Sequence, residues 1–148
     1  MENPAYGSDE YFMDRALAEA EEALRAGEIP VGAVITAAGR IIARGHNLTE
    51  VLNDVTAHAE MQAITAAAGH LGGKYLRDCT LYVTLEPCQM CAGALYWAQI
   101  DRVVFGAEDP RRGYRAMGGC LHPKTQVISG VSAERCKNLL DLFFDKLR

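Results

Sequence analysis

The segment Thr80-Leu81-Tyr82-Val83-Thr84-Leu85-Glu86-Pro87-Cys88-Gln89-Met90-Cys91 changes character half-way along. Residues 80–84 are β-branched, aromatic and aliphatic, which predicts a buried strand. Pro87 suits the first position of a helix, where its missing N–H costs nothing, and predicts a helix over residues 88–98. A strand thus runs into a helix whose first turn carries two cysteines.

The same alternation extends outward. Upstream, Phe12, Ala16, Leu17, Ala20, Ala23 and Leu24 recur at helical spacing over residues 9–26, and Gly27 closes that helix. Residues 32–36 and 40–44 read as strands joined by a tight turn at Ala38-Gly39. A polar loop covers residues 48–54, and a helix follows over residues 57–68. Downstream come a strand at 102–106, a long Gly- and Arg-containing loop at 108–124, and a short strand at 126–129. A loop of that length points to function. The last helix spans residues 132–146 with Ser132 as its cap. The expected class is α/β: one mixed sheet of five strands covered by helices, in a single domain over residues 1–148.

Composition agrees with one such domain. The 148 residues suffice for a sizeable core, and no apolar run approaches the roughly 20 residues of a membrane span. Met1-Glu2-Asn3-Pro4 lacks the basic-then-apolar order of a secretion signal, so a cytoplasmic location without membrane contact is expected. Five cysteines, an odd number, speak against a disulfide framework. Cys79 and Cys136 lie beside apolar runs and read as small core residues. The net charge is −4, but residues 1–28 alone carry −6, so the remainder is slightly basic.

Two short motifs carry chemistry: Thr56-Ala57-His58-Ala59-Glu60 and Glu86-Pro87-Cys88-Gln89-Met90-Cys91, each at an expected helix start. His58, Cys88 and Cys91 supply one nitrogen and two sulfurs, a donor set suited to Zn²⁺ with its fourth position left to water. Glu60 lies two residues beyond His58, where it can stand beside the metal without ligating it and move a proton between water and substrate. An H-x-E followed by P-C-x-x-C is the known signature of zinc nucleobase deaminases, so this match applies an established pattern. The competing interpretation is a buried histidine, a surface glutamate and a redox or structural C-x-x-C. His46, His70 and His122 share no motif with Cys or Glu and read as surface or loop histidines.

The chain resembles the bacterial tRNA-specific adenosine deaminases over nearly its whole length. The similarity rests on Gly27-Glu28-Ile29-Pro30-Val31-Gly32-Ala33-Val34, Thr56-Ala57-His58-Ala59-Glu60, residues 81–94 and Arg102-Val103-Val104-Phe105-Gly106-Ala107. It implies a three-layer α-β-α sandwich of the cytidine deaminase type, one Zn²⁺ per subunit and a homodimer. The implied reaction converts adenosine to inosine at the wobble position of a tRNA anticodon stem-loop, by zinc-activated water with a Glu proton shuttle. On the resemblance, His58, Cys88 and Cys91 hold the metal and Glu60 is the shuttle. Asn47 contacts the base, and Asp109 lies near the RNA backbone. Ala57 is expected against the purine ring, and Ile29, Pro30 and Val31 on a pocket wall. Arg111, Arg112, Arg115 and Lys124 could pair phosphates.

Alternatives stay open at these positions. Asn47 could be a turn residue, the wall residues plain core, and the basic loop merely solvated. Tyr96-Trp97-Ala98-Gln99, residues 114–120 and a tail with only Lys146 and Arg148 as bases depart from the family pattern. A Tyr-Trp pair like this one occurs in guanine deaminases of the same superfamily, so a free base or nucleoside, guanine above all, is the second candidate substrate. Phe143 and Phe144 are expected in the core rather than over the active site.

Overall fold

The computed structural model describes residues 3–147; Met1, Glu2 and Arg148 lie outside the described residues. The elements are α1 (Asp9–Arg25), β1 (Gly32–Ala37), β2 (Arg40–His46), α2 (Ala59–Leu71), β3 (Cys79–Leu85), α3 (Gln89–Ala98), β4 (Arg102–Ala107), β5 (Gln126–Ser129) and α4 (Ala133–Lys146). The five strands form one sheet in the order β2-β1-β3-β4-β5. β1 is antiparallel to β2 and β3, whereas β3, β4 and β5 run parallel.

The two-residue period of the strands sorts their side chains into two cores. Ala33 pairs with Val83 and Val83 with Phe105, and all three face the Ala59, Ala63, Ala92 and Leu95 side chains of α2 and α3. The next register row, Val34, Tyr82 and Val104, faces Phe12, Met13, Ala16 and Leu17 of α1 and Cys136 of α4. Strands covered on both faces need apolar residues at every position, which explains the unbroken run at 81–83. The result is the expected three-layer sandwich. Leu81 and Phe105 are wholly buried, and truncating either to Ala costs about 2–5 kcal/mol. α1 rests directly on β1: a Cβ at Gly32 would overlap the Ala16 carbonyl and the Ala20 nitrogen.

Several local expectations shift. Ala38 and Gly39 both have positive φ, 51° and 74°, the two-residue turn that matches the twist of a hairpin. Pro87 is not the first helical residue. Cys88 is the N-cap of α3, and the Pro87 carbonyl instead accepts the Tyr114 N–H at 2.8 Å. That bond, with the Cys88–Gly113 bridge, ties the start of α3 to the long loop. Ser132 precedes α4 but does not cap it through its side chain, because its backbone is left-handed at φ 53°. The length of the 108–125 connection has a topological reason. β4 and β5 are parallel, and parallel strands need a crossover of a dozen or more residues.

Among the described residues, no helix is long and apolar enough to cross a membrane. Cys79 and Cys136 are buried as expected, and Cys120 is exposed.

Candidate active site

The ends of β2, β3 and β4 and the start of β1 meet at one end of the sheet, because β1 is antiparallel to its neighbours. Open α/β sheets present their sites there, outside the carboxyl ends of the parallel strands. Helices α2 and α3 also begin at this end. His58 is the N-cap of α2 and Cys88 the N-cap of α3; neither side chain caps its own helix, so both are left to face each other. Cys91 follows in the first turn of α3. His58 Nδ1 lies 3.6 Å from the Sγ of Cys88 and 3.6 Å from that of Cys91. A tetrahedral ion bonded at about 2.3 Å to sulfur and about 2.0–2.1 Å to nitrogen would hold those atoms about 3.5–3.6 Å apart. The three residues therefore fit zinc in chemistry and in spacing, and they form a compact ligand group to which Glu60 does not belong.

The electrostatics suit a cation. A hydrogen bond from the Cys91 thiol, aided by His58, pulls the Cys88 thiol down to about 4. The same bond pushes Cys91 well up, with burial adding to it. His58 is raised by its hydrogen bond to Cys88. Glu60, on the first turn of α2, is 4% exposed, and burial pushes its carboxyl up to about 7.

A cavity of about 830 Å³ opens over this group. Its lining joins His58, Glu60 and Cys88 to Ile29, Val31, Asn47, Asp109, Arg111 and Arg112. Four other expected site residues stand apart. Pro30 is buried and outside the lining. Ala57 is 1% exposed, and its carbonyl accepts the Leu48 N–H. Lys124 is exposed and away from the cavity. Arg115 is committed elsewhere: it pairs with Glu86 at 2.9 Å and Glu108 at 3.4 Å and lies over the Phe105 ring.

Asn47 is nearly buried and more constrained than its sequence context suggests. Its Oδ1 accepts the Ala59 N–H at 2.9 Å, satisfying a free donor at the start of α2. Its amide N–H₂ is the group this arrangement leaves for the cavity. Asp109 is similarly occupied, since one carboxylate oxygen accepts the N–H groups of Arg111 and Arg112.

The structure adds residues that the sequence reading passed over. Glu86, 4% exposed, accepts the N–H groups of Asp109 and Arg115 as well as the Arg115 guanidinium. Burial alone would raise its carboxyl, but these donors outweigh burial and hold it below the usual carboxylate range. Helix α4 and the Leu147 that caps its end line one side of the cavity, through Lys137, Leu140, Phe144 and Leu147. Phe144 is thus at the active-site cavity and not in the core. The spacing of Leu140, Phe144 and Leu147 marks one helical face and could have shown this. Tyr96 and Trp97 do not line the cavity; Tyr96 packs on His122 on the outer side of α3, and Trp97 is 77% exposed. His46 pairs with Glu19, and neither His70 nor His122 approaches the metal group.

The sequence profile of the cytidine and deoxycytidylate deaminase zinc-binding region matches residues 7–107. The chain belongs to that zinc-binding deaminase family. It is 53% identical to a tRNA-specific adenosine deaminase of Aquifex aeolicus (strain VF5), over 94% of this chain and 95% of the relative. A solved structure from a study of A-to-I editing by tRNA A34 deaminases superposes with a TM-score of 0.81 at 43% identity, covering 87% of this chain and 98% of that one. A guanine deaminase structure from Bacillus subtilis is 44% identical with a TM-score of 0.66, over 75% of this chain and 68% of that one. A zinc-dependent hydrolytic deaminase with one Zn²⁺ per subunit is what this deaminase domain and its His-Cys-Cys group support.

Proposed function

We propose that this deaminase converts adenosine to inosine at the wobble position of a tRNA anticodon, as a single-domain cytoplasmic homodimer. The observation that carries the substrate is the 53% identity, over almost the full length of both chains, to a relative named for tRNA adenosine.

The net reaction adds water across the C6–amino bond: C6 gains oxygen and ammonia leaves. His58, Cys88 and Cys91 would hold the zinc, which when bound supplies the Lewis acid that makes water a nucleophile at neutral pH. Glu60 takes one proton from the attacking water and gives it to the ring nitrogen beside C6. It then takes the second from the new C6 hydroxyl and gives it to the departing amine, so that C6=O forms as the C6–N bond breaks. Its place on the rigid first turn of α2, lining the cavity, puts the carboxyl where both partners can be reached. Asn47 donates its amide N–H₂ to an acceptor of the purine. Ile29 and Val31 pack against the ring, burying apolar surface that water would otherwise cover. Arg111 and Arg112, on the exposed rim, pair with RNA phosphates. The dimer buries the outer side of α3, where Met90, Tyr96 and Trp97 form a shallow apolar groove.

The second reading, deamination of free guanine, is favoured by the 44% identity to a guanine deaminase. The two separate in one experiment. Zinc-loaded protein is offered an anticodon stem-loop with adenosine at the wobble position, and separately guanine, adenine and cytosine. The proposal expects inosine in the stem-loop and no turnover of the free bases. Guanine turnover with an untouched stem-loop would replace it with the second reading.

A further inference from the structure

Glu28 is wholly buried, lies outside the metal group and takes no part in the reaction described above. Among the described residues, no cationic side chain donates a hydrogen bond to it. Its two oxygens accept the Glu50 N–H at 3.0 Å each, the Val51 N–H at 2.7 Å and the Thr49 hydroxyl at 3.2 Å. Burying a carboxylate is expensive unless donors replace its water. Here the donors come from one irregular stretch, the loop between β2 and α2.

Both ends of this contact belong to the cavity. Ile29 and Val31, one and three residues after Glu28, line it; so do Asn47 and Thr49, on the loop that Glu28 holds. A further bond runs from the Asn47 N–H to the Val31 carbonyl at 3.1 Å. The two segments therefore form one wall, and Glu28 is the fastener between them. We infer that Glu28 is a positioning residue: it fixes the substrate-facing wall through the Thr49–Val51 backbone without touching substrate or metal. This inference rests on the proposed RNA reaction only for its kinetic readout.

The position explains why an acid is required. Glutamine has one acceptor oxygen, and its amide N–H₂ would oppose backbone N–H donors. An apolar residue would leave those donors buried and unpaired. Either change frees the loop, and with it the wall, while α2 and α3 keep the metal ligands in place.

The test is Glu28→Gln in the full-length, zinc-loaded protein, with three measurements beside wild type. Zinc content should stay at one per chain. Backbone hydrogen exchange should accelerate at least tenfold at Glu50 and Val51, with the amides of β3 and β4 unchanged. KM for the anticodon stem-loop should rise about tenfold while kcat changes less than threefold. If Glu28→Gln does not fold, Thr49→Val removes one of the bonds and should give the same pattern more weakly. Unchanged exchange at Glu50 and Val51 would overturn the fastening role. Equal loss of kcat and zinc would reduce Glu28 to a merely structural residue and also overturn it. Failure of wild-type protein to deaminate the stem-loop would count against the proposed substrate alone, since hydrogen exchange decides the role of Glu28 without it.

Discussion

Asn47 holds the start of α2 and, on the proposed mechanism, also recognises the base. Its oxygen satisfies the Ala59 N–H, and its amide N–H₂ is left for the cavity. Asn47→Asp keeps the acceptor and removes the donor. It should therefore leave thermal stability near wild type while kcat/KM falls about ten- to hundredfold, the equivalent of about 1.4–2.8 kcal/mol of lost hydrogen bonding. Equal kcat/KM in the two proteins would remove Asn47 from base recognition. At this scale the sequence was most informative where chemistry restricts residue type. Zinc accepts few donor sets, so His58, Cys88 and Cys91 were legible from their types and order alone. Glu28 and Glu86 were not, because any acid looks solvated until the fold shows which backbone donors surround it. Arg115 shows the same limit: its basic neighbours suggested phosphate contact, and only the fold shows its ion pairs with Glu86 and Glu108.

At the scale of elements, α1 is fastened to the sheet by Asp9. The Arg102 guanidinium meets both its carboxylate oxygens, at 3.0 and 2.8 Å, and the Tyr82 hydroxyl donates to it at 2.9 Å. The hydrogen bonds from Arg102, with that from Tyr82, outweigh burial and hold the Asp9 carboxyl below its ordinary 3.8. A depressed folded value means the unfolded chain binds the proton more readily. The pair's stabilisation is thus complete above pH 3.8 and is lost as pH falls through the lower, folded value. Asp9→Asn should cost about 1–3 kcal/mol at neutral pH. Denaturant melts at pH 7 and pH 3 should show this gap narrowing in acid; a constant gap would mean Asp9 acts by packing alone. Gly32→Ala should cost more than about 1–3 kcal/mol, since α1 cannot yield locally at the Ala16 carbonyl. Calorimetry of that variant checks it. Element types and order were readable because strand and helix periods differ. Helix starts were less so: Pro87 and Ser132 have the composition of start signals, but tertiary bonds and a left-handed backbone set the ends.

At the scale of the molecule, the sandwich places two helix starts and four strand ends around one cavity, and α4 closes its side. α4 is held lightly, with Cys136 its one buried residue. The sequence spacing of Leu140, Phe144 and Leu147 marks an apolar face, but which side of the sheet that face meets depends on the course of the chain's last turn. The outer side of α3 remains uncovered in the single chain, with Trp97 77% exposed. Light scattering should give about twice the 16.1 kDa chain mass, and Trp97→Glu should shift it to one. A wild-type monomer would contradict the proposed dimer.

On the proposed mechanism, one zinc and Glu60 together make this cavity a deaminase. The most direct test is metal add-back: strip the protein with chelator, return zinc in steps, and follow inosine formation in the stem-loop together with bound metal. Wild type should regain activity linearly up to one zinc per chain. Glu60→Ala should take up the same one zinc and remain at least about a hundredfold slower. Activity in the stripped protein, or normal turnover by zinc-loaded Glu60→Ala, would rule that mechanism out.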